Sequence, residues 1–177
     1  MKRRDRLTIG IATVVLAGLG GTTVYALDKY SLKSPSGIAL SDFRGYEDWA
    51  VVSSARTDEV LKVIVANPTM IKAYKAGIPG NGQPFPDGSK IAKLQWKPKK
   101  STEAPFVVDV PDVFTQAFVI EKDSMRFPKT GGWGYALFNY GAKSDAFTTD
   151  AAASDCGHSC PVAVKSKDYF FHPYQKR

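Results

Sequence analysis

The sequence predicts an α+β domain: an antiparallel β-sheet of about five strands packed with a few helices. Stretches rich in Val, Ile, Phe, Trp and Tyr follow one another along the chain, the pattern of strands bounded by turns. A single well-capped helical stretch interrupts them near the start, whereas regularly alternating strands and helices would mark a parallel sheet. A length of 177 residues with 44% hydrophobic content leaves room for one domain with a real core.

The chain opens on Met1-Lys-Arg-Arg-Asp-Arg6, followed by an apolar run from Leu7 to about Val24 and then Val24-Tyr25-Ala26. A cationic start, an apolar segment and a small residue with Val two positions before it form the secretory signal pattern, with cleavage expected after Ala26. The alternative is an uncleaved inner-membrane anchor, since Leu7 to Leu27 is nearly long enough to span a bilayer. The weakly apolar Gly18–Gly21 and Thr22-Thr23 stretch favours cleavage. Loss of residues 1–26 removes Lys2, Arg3, Arg4 and Arg6 against Asp5, so the formal charge falls from +7 to +4. Much of the basicity is therefore targeting signal. No Lys/Arg cluster with interleaved aromatics stands out, which argues against nucleic-acid binding. The expected location is periplasmic or exported.

Residues 27–45 carry the turn Ser34-Pro35-Ser36-Gly37 and read as a leader or linker, with the domain spanning 46–177. Trp49–Arg56 and Glu59–Val65 are expected as strands, the second from its alternation of Val60, Lys62, Ile64 against Leu61, Val63, Val65. Asn67 suits an N-cap, Pro68 the first helical position and Gly77 the stop. Met70, Ile71 and Tyr74 share one face of the intervening helix. Gly77–Gly88 is a loop rich in glycine and proline, and Ile91–Trp96 a strand. Lys97–Pro105 reads as a polar, mobile connection. Val113–Glu121 and Trp133–Tyr140 are the remaining strands, joined by the polar turn "KDSMRFPKTGG". In Val113–Glu121 strict alternation puts Phe114, Phe118 and Ile120 on one face and Val113, Ala117 and Val119 on the other. Apolar residues on both faces require cover on both sides, by helices or by a buried ligand.

The tail stretch "DCGHSCPVAV" holds both cysteines, Cys156 and Cys160, and one of the two histidines, His158. A zinc site needs about four ligands, and only His172 is an obvious addition to these three. A Cys156–Cys160 disulfide is open at four-residue spacing if the segment is helical, although Pro161 disfavours helix at Cys160. A redox-active pair more usually has Cys-x-x-Cys spacing, and no base is evident for a catalytic cysteine. Covalent haem normally uses Cys-x-x-Cys-His. "CGHSCP" is one residue too long and has proline where the ligand would stand.

From Tyr46 onward the chain resembles the cytochrome P-460 family, through the blocks "YEDW", Glu59–Pro68, "YKAG", "FPDGSKIAKL", "KDSMRF", "GGWGYALFNY" and "KSKDYFFHPY". The resemblance implies an exported protein with an antiparallel sheet, packed helices and covalently attached haem c. It implies redox chemistry on hydroxylamine, with a lysine cross-linked to the haem rim, or binding of nitric oxide in an apolar pocket. Counting back from Asp168, Cys160 matches the family's second haem cysteine, Cys156 stands one residue beyond the usual first, and Pro161 occupies the place of the iron-ligating histidine. The Asp87-Gly88 turn places Lys93 at the cross-link position. His158 and His172 are the residues left to ligate iron, and no metal other than haem iron is expected. The expected partner is a small nitrogen-oxide molecule or an electron-transfer protein, and a homodimer stays open. Enzyme status as a hydroxylamine-oxidising oxidoreductase stays open. The alternative is a haem-free descendant of the fold, an exported binding or structural module with Cys156 and Cys160 disulfide-bonded or free.

Overall fold

The computed structural model describes residues 28–152 and 157–175. The predicted signal segment lies outside them, as does Cys156 and with it the Cys156–Cys160 pairing. Among the described residues no helix is long and apolar enough to cross a membrane.

The centre is a six-stranded antiparallel meander in sequence order. Its strands are β1 (Ala50–Arg56), β2 (Leu61–Ala66), β3 (Lys90–Lys100), β4 (Asp109–Lys122), β5 (Trp133–Gly141) and β6 (Ala146–Thr149). An α-helix, α1 (Pro68–Lys75), sits between β2 and β3, residues 157–159 are also helical, and short 3₁₀ turns flank the sheet. The α+β expectation holds, with one strand more than anticipated. β6 is four residues long and pairs with the end of β5, too short to display a period of its own.

The helix starts as its sequence predicts. The Asn67 side-chain oxygen accepts from Met70 N–H at 3.1 Å and from Lys90 N–H at 3.0 Å, and its amide donates to the Gly88 carbonyl at 2.8 Å. One residue thus caps α1 and clamps its start to the beginning of β3. Met70, Ile71 and Tyr74 are buried on the face turned to the sheet, with Ala73 beside them.

Both sheet faces are covered. On the first, α1, the Phe85 loop and the C-terminal tail lie over Ile64, Ala66, Ile91 and Trp133. Here Phe85 meets Tyr74, Trp133 and Phe170 edge-on at 4.9, 6.0 and 5.6 Å between ring centroids. On the second face Val65, Ala92, Leu94, Ala117, Val119 and Phe138 pack against Ile38, Leu40 and Phe43. The stretch expected as a leader therefore supplies core: those three side chains are at most 1% exposed. Its apolar residues are too sparse to show a period, and the sheet face they cover is what orders them.

Two further expectations change. Lys97–Lys100 continues β3, pairing with the start of β4 through Pro98↔Pro111 and Lys100↔Asp109, so the polar connection shrinks to residues 101–108. The β3–β4 ladder also shifts register between Gln95 and Trp96, opposite Thr115. The extra residue is a β-bulge, and it moves Phe114 to the second face, where it packs with Val119's cluster while Phe118 and Ile120 stay on the first.

Candidate functional site

The strand registers stack first-face residues into cross-strand rows. Ala66, Ile91, Ile120 and Tyr135 form one row; Ile64, Lys93, Phe118 and Leu137 the next; Lys62, Gln95, Gln116 and Asn139 the third. The first two rows are apolar except for Lys93, and the third is polar throughout. This gradient sets the boundary between covered sheet and solvent.

Over the apolar rows lies a cavity of about 370 Å³, within the range of small-molecule and cofactor sites. Its floor is Ile64, Ile91, Lys93, Phe118, Ile120 and Leu137. Its roof is the tail, which contributes Gly157, Cys160, Pro161, Tyr169, Phe171 and His172. The buried ligand or cover that the two-faced β4 sequence demanded is thus divided: tail and helix cover part of the first face, and the rest is left as a pocket.

Lys93 is the cation of the floor. Its ammonium lies 4.6 Å from the centroid of the Phe118 ring, a cation–π contact. Burial pushes its pKa below the usual lysine range, the positive charge of Lys62 adds to this, and Cys160 works in the opposite direction. Burial also lowers the pKa of His172, as does the positive charge of Lys93. The neutral imidazole, a competent donor to metal, is favoured accordingly.

The structure brings together Lys93, Cys160 and His172 of the residues singled out from sequence. His158 is placed differently. Its ring packs between Tyr135 and Tyr169, at 6.0 and 5.3 Å between centroids, and it is not among the cavity-lining residues. Among the described residues its Nδ1 is buried without a hydrogen-bond partner, as is the Tyr135 hydroxyl. Burial raises the pKa of that hydroxyl far above the ordinary tyrosine value.

Two contributors were not legible in the sequence. Gly157, inside the cysteine motif, runs so close to the sheet that a Cβ would stand 2.7 Å from Tyr135 Cβ and 3.0 Å from Phe118 Cζ. Only glycine lets the tail seat at that distance. Asp168, at φ 47°, turns the chain back over the cavity. Its carboxylate takes 2.9 and 3.1 Å bonds from Lys122 Nζ and a 2.8 Å bond from Phe85 N–H.

The donor set and walls fit a haem in part. Apolar side chains suit a flat macrocycle, Cys160 places a thiol in the wall, and His172 adds an imidazole. Pro161 also lines the cavity and supplies no donor. Among the described residues, no three His, Cys, Asp or Glu side chains gather as ligands for a bare metal ion. Compared with known proteins, residues 43–172 match the cytochrome P-460 family model, and no curated protein matches the chain.

Proposed function

Because the chain belongs to the cytochrome P-460 family, we propose that it is an exported haem protein acting on hydroxylamine or binding nitric oxide. The supporting observation is the apolar cavity beneath the tail, in which Cys160, Lys93 and His172 converge. A haem bound there supplies iron-centred redox or gas-binding chemistry. Ile64, Phe118 and Leu137 form an apolar floor, which strengthens electrostatic interactions within the pocket. Cys160 presents the thiol for covalent attachment. Lys93 holds a partly desolvated amine against Phe118, the position that carries the rim cross-link by family resemblance. By the same resemblance Cys156, outside the described residues, is the partner thiol of Cys160 in attachment, and His158 and His172 are the imidazoles of the region.

The test is an intact mass and an absorbance spectrum on protein exported from a host carrying haem-attachment machinery. A haem-sized increment with a Soret band supports the reading. A colourless protein of unshifted mass, or lighter by two hydrogens, rejects it and identifies the haem-free binding or structural module. Pro161 favours that second reading. It begins a 3₁₀ turn (Pro161–Lys167) at the place where the family resemblance puts the donor to iron.

A further inference from the structure

We infer that His172, and not a residue beside Cys160, is the iron ligand of this chain. The inference rests on the haem reading above and deepens it.

Three observations carry it. The residue following Cys160 is proline, so the attachment turn itself has no donor. Of the two histidines in the chain, His172 lines the cavity and His158 does not. His158 lies between two tyrosine rings with its Nδ1 buried. Among the described residues no hydrogen bond or ion pair engages the His172 ring; its one hydrogen bond runs from the Tyr74 hydroxyl to its backbone carbonyl at 3.1 Å.

The third observation is how firmly His172 is presented. On its N-terminal side Asp168 is bonded to Lys122 and Phe85, and Phe170 is buried against Trp133 at 4.6 Å between centroids. On its C-terminal side Pro173 restricts the backbone, and Tyr174 stacks on Tyr74 at 5.7 Å. A side chain anchored before and after itself, with its ring bare over an apolar cavity, has the preorganisation that a metal ligand needs.

The experiment titrates ferric haem into the purified full chain and follows the Soret band and the electron paramagnetic resonance spectrum. The expected result is a nitrogen-ligated signature in the unsubstituted protein. His172→Ala loses it and binds haem more than about tenfold more weakly, and added imidazole restores the signature. His158→Ala keeps the original spectrum. His172→Met retains a donor and moves the spectrum to a thioether type; it decides the matter if His172→Ala does not fold by circular dichroism. A Soret band indifferent to both His172 substitutions, or one altered only by His158→Ala, overturns the inference and leaves the haem reading standing. Absence of any haem binding by the unsubstituted chain overturns both.

Discussion

Lys122 and Asp168 hold the roof of the cavity to its floor, and breaking that pair is the sharpest test of how the site is built. Their side chains are 7% and 10% exposed. Lys122 Nζ donates to the Gly131 carbonyl at 2.8 Å as well as to Asp168, and stands 4.8 Å over the Trp133 ring. Lys122→Met leaves a buried carboxylate whose remaining partner is the Phe85 N–H. Removing one member of a buried pair costs about 3–5 kcal/mol, mostly from the stranded charge. Asp168→Asn preserves an acceptor for Phe85 but strands the ammonium with Gly131, and falls toward about 3 kcal/mol. The double variant has no stranded charge. It is expected to cost less than the sum of the singles by about 2 kcal/mol or more. Urea unfolding followed by tryptophan fluorescence measures all three, with Trp133 directly beneath the pair. Single costs under about 1 kcal/mol, or additivity within about 0.5 kcal/mol, would refute the claim that this pair fastens the tail.

Other substitutions probe the remaining parts. Phe43→Ala empties a site with 0% exposure and is expected to cost about 3–5 kcal/mol in denaturant unfolding; a cost below about 1 kcal/mol would remove the N-terminal segment from the core. Gly131 has φ +67°, and a Cβ there would lie 2.4 Å from Tyr169 Cε2. Gly131→Ala should therefore destabilise by about 1–3 kcal/mol and speed proteolysis of the tail. Lys93→Met should raise the denaturation midpoint at neutral pH, because burial penalises the ammonium. The unfolded chain binds the proton more tightly than the folded one, so the penalty is complete below the lowered folded pKa and disappears as pH rises to the ordinary lysine value. The advantage of the variant should shrink over that window in parallel pH titrations. An unchanged midpoint would mean that the amine stays hydrated.

The helix was legible because its signals are local: Asn67, Pro68 and Gly77 cap a short stretch whose apolar residues fall on one face, and the cap bonds form as expected. The strands expected at Glu59–Val65 and Ile91–Trp96 were legible for the same reason, since runs of strand-forming residues need no knowledge of neighbours. The β-bulge at Thr115 was not. It is a mismatch between two strands, visible only when β3 and β4 are laid side by side, and it decides which face Phe114 occupies. Ile38, Leu40 and Phe43 failed to announce themselves because sparse apolar residues in an irregular segment acquire meaning only from the surface they cover.

The site divides along the same line. Sequence by itself determined that the family's pattern runs through the chain, marked Cys160 and Lys93 as candidates for its functional positions, and placed Pro161 directly after Cys160. These are statements about residue type at a position, which order along the chain is sufficient to make. Tertiary structure decided that Lys93 lies on an apolar row ending at a polar one, that His158 is packed away between tyrosines, and that His172 returns to the cavity. Those placements depend on strand register and on the ion pair folding the tail back over the sheet. Both join residues far apart in sequence, where no local pattern reaches.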